Sequence, residues 1–207
     1  SSAHQQMAEN FKVENNLQPV TETSVMLPGT LADDGVDPTN LGSAFHELAQ
    51  IMVEIQSKVD EQTIDKLCLK NSVPQRAISR VKQALELWSN SAIRQEALAH
   101  DVIIAESPFT LQVDSEYGNY VEGAIDLLAY NKGSKDALVV DYKTGDKGLS
   151  ATQIYEHHQM QANFYAYVLM QHGFTKVECA FVCVEVEEAG QPHVARYTFD
   201  VNHQPRL

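Results

Sequence analysis

Two side chains of opposite charge leave the same face of a predicted strand near the middle of the chain. Leu138-Val139-Val140 is typical of a strand buried on both faces, and Asp141, Tyr142 and Lys143 follow it. Because side chains alternate along a strand, Asp141 and Lys143 point to one face and Tyr142 to the other. Thr144-Gly145 then ends the strand. Taken alone, the pair is also consistent with a surface ion pair before a turn.

A second acidic residue, Asp126, interrupts the apolar run Val121–Leu128. A buried carboxylate is costly without a partner or a metal ion. Turn-forming residues between Tyr130 and Lys135 favour an antiparallel hairpin, which would bring Asp126 near Asp141. Two acids and a lysine at a strand end would suit a hard divalent cation together with a phosphate.

These residues also carry a resemblance to a known family. Gly123-Ala124-Ile125-Asp126 followed by Asp141-Tyr142-Lys143-Thr144-Gly145 resembles the core of the PD-(D/E)xK nuclease superfamily, in the branch of RecB and AddA helicase-nucleases. Further segments resemble other motifs of that branch, in the family's order: Gly42-Ser43-Ala44-Phe45-His46, Glu106-Ser107-Pro108-Phe109, and Gln161 with Tyr165. Five motifs in order make the resemblance specific.

The resemblance implies a nuclease active site. One or two Mg²⁺ or Mn²⁺ ions are expected to be bound by His46, Asp126 and Asp141. The backbone carbonyl of Tyr142 is the expected additional ligand. Lys143 is expected to orient the attacking water or to neutralise a phosphate oxygen. The imidazole ligand leads us to expect that Mn²⁺ supports activity at least as well as Mg²⁺.

Three more residues receive supporting roles from the resemblance. Glu106 is expected to bind the metal directly or through water, or to orient Lys143, and is otherwise an exposed acid at a strand end. Gln161 and Tyr165 fall on one face of a predicted helix, together with His158. They are expected to hold substrate or site residues; alternatively, this face only packs the helix.

Several other polar residues allow more than one interpretation. Without the resemblance, His46 at the edge of a helical apolar stripe would be typical of a structural histidine. Arg76 and Arg80 lie one turn apart and could contact phosphate, or simply form a solvated helix face. His100-Asp101 could indicate an HD-type metal phosphohydrolase. That fold is helical, whereas Val102–Ala105 reads as a strand, which argues against it.

The 207 residues carry a formal net charge of −13. Nucleic-acid binding depends on Lys and Arg neutralising phosphates, so we expect weak binding to duplex DNA by the chain alone. The charge therefore favours a tethered catalytic module, and the resemblance implies an exonuclease module of a helicase-nuclease that acts on single-stranded DNA in double-strand-break repair or recombination. A helicase segment of the same polypeptide or a separate helicase partner would bind the DNA. The alternative is a catalytically idle docking module of the same fold.

The three cysteines, Cys68, Cys179 and Cys183, form no Cys-x-x-Cys pair. We therefore expect a reducing compartment, no structural zinc, and no four-cysteine iron–sulfur cluster. Apolar runs are too short for a membrane span and no leader-like segment opens the chain, which favours a cytoplasmic protein. Because the chain begins without Met, we expect it to be a fragment of a longer polypeptide or a recombinant chain with a short added sequence at its start.

The predicted fold class is α/β, with a central mixed β-sheet flanked by helices, a restriction-endonuclease-like core, and the site at the carboxyl-end rim. Residues 1–38 are predicted to be a linker or extended arm and 39–207 the nuclease domain. Helices are predicted from Thr39 or Asn40 to 58, and over 61–70, 72–89, 91–99 and 150–172. Strands are predicted from 102 to 113, near 121–128 and 138–143, and over 176–186 and 193–200, with a turn at Gly190–Pro192.

Overall fold

The computed structural model describes residues 36–114 and 119–206, and no side chain between positions 112 and 120. The predicted arm, 1–38, lies outside the described residues except for its last three positions. In the described part of the chain, no helix combines the length and the apolar character that crossing a membrane requires.

A five-stranded mixed sheet forms the centre of the structure, with the strands in chain order across it. The strands are β1 (Val102–Asp114), β2 (Asn119–Tyr130), β3 (Asp136–Lys143), β4 (Lys176–Glu188) and β5 (Gln191–Phe199). The pairs β1–β2, β2–β3 and β4–β5 are antiparallel, whereas β3 and β4 are parallel. The parallel pair requires a crossover, which a helix provides. The predicted α/β class with a mixed sheet is confirmed.

Five α-helices of the described residues flank this sheet. They are α1 (Pro38–Glu54), α2 (Glu61–Lys70), α3 (Ile78–Ser89), α4 (Ala92–Leu98) and α5 (Ala151–Gln171). The crossover helix α5 begins with the predicted capping box, in which Ser150 and Gln153 satisfy each other's backbone N–H groups. It ends before Gly173, whose φ of 97° suits glycine.

The first helix begins earlier and ends earlier than predicted. Its N-cap is Asp37, whose carboxylate accepts a hydrogen bond from the Thr39 N–H, and Pro38 occupies the first helical position. The helix ends at Glu54 rather than at 58, because Gln56 has a left-handed φ of 52°. Phe45, Leu48, Ala49 and Met52 form the buried face of α1, whereas Ile55, expected on the same face, lies beyond the helix and is 53% exposed.

Two other predicted boundaries are wrong. The helix expected from position 72 begins as a short 3₁₀ turn at Gln75–Ala77 and becomes α-helical only at Ile78. The β4–β5 hairpin turns at Ala189-Gly190, not at Gly190–Pro192, and Glu188 pairs with Gln191. Both turn residues have positive φ, 51° and 78°, as a two-residue hairpin turn requires.

Each face of the sheet covers a separate core. Helices α1 to α4 pack on one face, where Val140 and Tyr142 of β3 are buried. Helix α5 packs on the other face, where Val139 is buried. The alternation along β3 therefore fills both cores, as predicted for a strand that is buried on both sides.

At one point in each of the strands β1 and β2, the regular alternation of side chains is interrupted, and residues that would share a face of the sheet pack on opposite faces. In β1, Ala105 packs with the α1–α4 core whereas Phe109 packs with the α5 core. In β2, Leu127 packs with the α1–α4 core, whereas Ile125, two residues earlier, packs with the α5 core. The pairs Ala105↔Leu127 and Ser107↔Ile125 flank the exchange, so its centre is occupied by one acidic residue from each strand.

Candidate active site

Asp126 lies where β2 and β3 separate. The last paired residues of the two strands are Leu127 and Val140, and beyond them the Tyr142 N–H donates to Asp126 Oδ2 at 2.7 Å. The carboxylate thus replaces a strand partner, which explains how an acid that is only 6% exposed is tolerated. The predicted hairpin that brings Asp126 towards Asp141 is confirmed.

His46 reaches Asp126 from helix α1. Its Nδ1 lies 3.3 Å from Asp126 Oδ1, and its Nε2 lies 3.3 Å from the backbone carbonyl of Tyr142. Phe45 anchors the helix beside it, since the Phe45 ring is fully buried and packs edge-on against Tyr142. His46 is therefore placed between the carboxylate and the carbonyl that the resemblance implies as its fellow ligands.

Glu106 is the acidic residue of β1 opposite Asp126. Its φ of 49° is unusual for a residue other than glycine, and such strain is concentrated at functional sites. One ligand atom each from His46, Glu106 and Asp126 lies within 4.8 Å of the others. We call these three residues the edge cluster.

The charges of the edge cluster are only partly balanced. Burial, with the added repulsion of Asp126, raises the pKa of Glu106 to about 7. Burial alone would also raise the pKa of Asp126. The neighbouring His46 and the hydrogen bond from the Tyr142 N–H instead hold that pKa below its usual value. Two carboxylates thus share one imidazole, so a bound cation would relieve their repulsion.

Asp141 and Lys143 lie side by side, as strand alternation predicts. Lys143 Nζ is 2.8 Å from Asp141 Oδ1. The other carboxylate oxygen, Oδ2, accepts hydrogen bonds from Tyr165 OH at 2.8 Å and Gln161 Nε2 at 3.2 Å. Gln161 and Tyr165 therefore contact Asp141, and their supporting role in the site stays a prediction. Asp141 is not part of the edge cluster, and its expected role as a metal ligand stays a prediction.

The two arginines have different surroundings. The Arg80 guanidinium forms an ion pair with Glu185 at 2.8 Å, and Glu185 also accepts a hydrogen bond from the Gly145 N–H. Arg80 is thereby connected to the loop after Lys143. Arg76 is exposed in the 3₁₀ turn. Contact of either arginine with phosphate stays a prediction.

The His100-Asp101 dyad has local roles. His100 Nδ1 lies 3.0 Å from the carbonyl of Glu96, at the end of α4. Asp101 Oδ2 accepts a hydrogen bond from the Lys132 N–H. Both contacts close a helix or a turn, and β1 begins directly afterwards, as expected from the strand-like sequence.

A second group of potential ligands was missed by the sequence analysis. Asp146, His158 and Cys183 are all buried and bring one ligand atom each within 4.8 Å of the others. We call these three residues the buried cluster. Of the three residues, only His158 had a position in the sequence that pointed to the site, because it shares a helix face with Gln161. Its other members come from a loop and from β4, which only tertiary packing brings together.

The geometry defines what the site can do chemically. The edge cluster offers one imidazole and two carboxylates, a donor set that suits a hard or borderline divalent cation. Lys143 supplies a positive charge next to Asp141, whose position is held from helix α5. A cation and an ammonium group at one strand end can together act on a phosphate group.

Known proteins similar to this chain include three from one bacterial species. Three proteins named as ATP-dependent helicase/nuclease subunits, from Streptococcus agalactiae serotypes Ia, V and III, are each 32% identical over 165 residues. The match covers 74% of this chain but only 13% of each relative. A solved structure titled "Crystal structure of SSO0001" is 14% identical with a TM-score of 0.37, and covers 100% of this chain and 80% of that one.

The family itself is established by its sequence profile. The profile described as the PD-(D/E)XK nuclease superfamily matches residues 11–204, which is most of the chain. The matched region includes every residue of the edge cluster as well as Asp141 and Lys143. The chain belongs to the PD-(D/E)XK nuclease superfamily.

Proposed function

We propose that this chain is a metal-dependent DNA nuclease domain that hydrolyses phosphodiester bonds. The observation that carries the proposal is the convergence of His46, Glu106 and Asp126 within 4.8 Å of one another, beside the Asp141–Lys143 pair. Family membership supports hydrolytic nuclease chemistry. The contacts of these residues support a particular division of roles among them.

The edge cluster would hold the metal ion. The donor set fits Mg²⁺ or Mn²⁺, because carboxylate oxygens suit both ions and an imidazole favours Mn²⁺. The raised pKa of Glu106, caused by burial and by the charge of Asp126, supports the fit, since a cation would offset both costs. The Tyr142 carbonyl, 3.3 Å from His46 Nε2, is a further potential donor.

When bound, the ion would supply positive charge that eases deprotonation of the attacking water and stabilises charge developing on the phosphate. The protein's own residues would complete the site. Lys143 orients the water or neutralises a non-bridging oxygen, and Asp141 holds its ammonium group at 2.8 Å. Gln161 and Tyr165 in turn hold Asp141, so the lysine position depends on helix α5.

The biological setting is part of the proposal. The similarity to proteins named as helicase/nuclease subunits supports an exonuclease module attached to a helicase, acting in double-strand-break repair or recombination in the cytoplasm. A helicase releases single strands, so single-stranded DNA is the expected substrate. The net charge of −13 supports the same setting, because a negatively charged domain needs a partner that binds the phosphate backbone of DNA.

A cleavage assay with matched lysine variants tests the proposal. The purified chain should cleave end-labelled linear single-stranded DNA in Mg²⁺ or Mn²⁺ and lose activity in a chelator. Lys143→Ala should lower the rate at least about 100-fold, because a charge stabilising the transition state is removed. Lys132→Ala is the control, since Lys132 lies in the β2–β3 turn at the opposite end of the hairpin. Full activity of Lys143→Ala would overturn the mechanism.

Two further measurements complete this test. A circular single strand separates the modes of cleavage, because an exonuclease leaves it intact and an endonuclease opens it. Calorimetric titration with Mn²⁺ then addresses the idle docking module. A chain that binds no Mn²⁺ and cleaves no DNA would support that alternative and overturn the proposed nuclease activity.

A further inference from the structure

The buried cluster joins three separate parts of the fold on the α5 side of the sheet. Asp146 belongs to the loop after β3, His158 to α5 and Cys183 to β4. His158 Nε2 lies 2.8 Å from Asp146 Oδ2, and Cys183 Sγ donates to the same oxygen at 3.3 Å. Asp146 and His158 are each 5% exposed and Cys183 is 0% exposed.

A fourth potential donor stands beside the buried cluster. His157 Nδ1 lies 3.8 Å from Asp146 Oδ1, beyond hydrogen-bond distance. This nitrogen is shielded from solvent, and no hydrogen-bond partner reaches it among the described residues. The His157 ring stacks on that of His158, with centroids 4.6 Å apart, so both imidazoles approach Asp146 together.

We propose that Asp146, His158 and Cys183, with His157 as fourth donor, form a closed binding site for a zinc-like divalent transition metal. One thiolate, two imidazoles and one carboxylate are the donor types that Zn²⁺ prefers, usually four at a time in structural sites. Hard ions such as Mg²⁺ are poorly matched to a sulfur donor. This site shares no residue with the edge cluster.

The distances are compatible with such a site. Tetrahedral ligation by zinc places oxygen and nitrogen donors about 3.4 Å apart, and a sulfur about 3.6 Å from either, from ordinary bond lengths. The separations from Asp146 Oδ2 to His158 Nε2 (2.8 Å) and to Cys183 Sγ (3.3 Å) are shorter than these values, and His157 Nδ1 lies 3.8 Å from the other carboxylate oxygen, Oδ1. Binding an ion would require Asp146 Oδ2 to move away from His158 Nε2 by about 0.6 Å and from Cys183 Sγ by about 0.3 Å, and the His157 ring to turn towards the ion.

The cysteine spacing that argued against structural zinc does not apply to this site. A site with a single cysteine needs no Cys-x-x-Cys pair, because the other donors come from a loop and a helix. Cys179, four residues earlier on the same face of β4, is equally buried, but its Sγ faces the Ala162 carbonyl at 3.7 Å. The two cysteines therefore form a matched pair for experiment.

The metal would fix the segment that follows the catalytic lysine. Asp146 lies three positions after Lys143, and Phe181 of β4 lies next to both Lys143 and His158. The Phe181 ring stacks on His158 and lies 5.6 Å from Lys143 Nζ. A metal that joins the loop, α5 and β4 would therefore hold Lys143 in place without contacting substrate.

Cobalt spectroscopy tests the site through its sulfur. Co²⁺ added to the metal-free chain, with a non-thiol reductant, should produce a sulfur-to-cobalt charge-transfer band at one equivalent. Cys179→Ala should keep the band and Cys183→Ala should lose it. The edge cluster contains no sulfur, so cobalt bound there cannot produce this signal. Absence of the band from the unsubstituted chain, or its persistence in folded Cys183→Ala, would overturn the proposal.

Thermal unfolding with Zn²⁺ provides a second test, which does not depend on nuclease activity. An Asp126→Asn background weakens binding at the edge cluster. Zn²⁺ at about 100 times its dissociation constant should then raise Tm by roughly 5 to 10 °C. Adding Cys183→Ala or His157→Ala to that background should remove or reduce the rise. An unchanged rise in both double variants would overturn the site even if Cys183→Ala alone unfolds the chain.

Discussion

The edge cluster and the buried cluster use similar residue types in opposite surroundings. The edge cluster is assembled from α1, β1 and β2, where two strands separate and part of the site remains exposed. The buried cluster is enclosed between α5 and the sheet. Catalytic metal sites keep a position open for water or substrate, whereas structural sites are closed. Only the edge cluster has the exposure that catalysis needs.

The electrostatics of the two clusters differ in the same way. In the edge cluster, burial and the charge of Asp126 raise the pKa of Glu106 to about 7. In the buried cluster, burial would raise the pKa of Asp146, but hydrogen bonds from His158 and Cys183 lower it below its usual value. The edge cluster therefore has more negative charge than its imidazole can compensate. This charge lies where a cation can enter from solvent.

The largest expected effect comes from neutralising Asp126. Asp126→Asn keeps the hydrogen bond from the Tyr142 N–H but removes one of the two carboxylates that are proposed to bind the metal. We expect kcat/KM on single-stranded DNA to fall about 1,000-fold, equivalent to about 4 kcal/mol. Asp136→Asn, at the exposed start of β3, is the control and should keep full activity. If both variants cleave equally well, the edge cluster is not the catalytic centre.

Removing His158 should affect stability instead of chemistry. The side chain fills the core against Phe181 and compensates the buried Asp146 charge. His158→Ala in a chelator should lower the free energy of unfolding by about 3 kcal/mol, measured by urea denaturation. His172→Ala, exposed at the end of the same helix, should cost less than about 1 kcal/mol.

If the edge cluster and the buried cluster have separate roles, His158→Ala should keep its nuclease activity. Well below its Tm, this variant should retain kcat/KM within about 10-fold, because the buried cluster acts on Lys143 only through packing. A loss as large as that expected for Asp126→Asn would mean that the two clusters are not separable, and that the buried cluster belongs to the catalytic machinery.

The pH dependence of stability should report the imbalance of the edge cluster. Burial raises the pKa of Glu106 from 4.5 to about 7, so the folded state binds this proton more tightly than the unfolded state. Stability should therefore fall as pH rises between about 4.5 and 7, and level off above that. Solvent screening limits the change to about 1 to 2 kcal/mol.

Glu106→Gln isolates this contribution. In a chelator, the variant should lack the decline and be more stable than the unsubstituted chain at pH 8, with the difference vanishing near pH 4.5. Urea denaturation at both pH values measures it. Saturating Mn²⁺ should remove the decline from the unsubstituted chain. A Glu106→Gln variant with the same pH profile as its parent would show that Glu106 is not electrostatically strained.

The sequence predicted local geometry better than contacts between distant segments. Alternation along β3 was enough to place Asp141 beside Lys143, and turn residues were enough to pair β2 with β3. The left-handed conformation of Glu106 has no sequence signature, because it follows from the exchange of faces by two paired strands. The start of α1 was misplaced because Asp37 and Pro38, assigned to the arm, are the N-cap and the first residue of the helix.

The buried cluster could not be predicted for a different reason. Its residues lie on a loop, a helix and a strand, and their separation depends on how closely α5 packs on β4. A hydrophobic pattern predicts that α5 covers the sheet but not its height or rotation above it. The structure settles both, by placing His158 parallel to Phe181 with the ring centroids 5.1 Å apart.

The smallest effect should come from Tyr165, because Asp141 connects the edge of the site to helix α5. Tyr165→Phe removes one of two hydrogen bonds to Asp141 Oδ2, and the Gln161 amide remains. We expect kcat to fall about 3- to 10-fold while Mn²⁺ affinity stays unchanged, and Tm to fall by a few degrees. Tyr155→Phe, on the exposed part of the same helix, is the control. A fall in Mn²⁺ affinity equal to the fall in kcat would place Asp141 among the metal ligands.

An effect on kcat alone would assign Asp141 to positioning Lys143, because a residue that only orients the lysine changes the chemical step without changing the affinity for the metal ion.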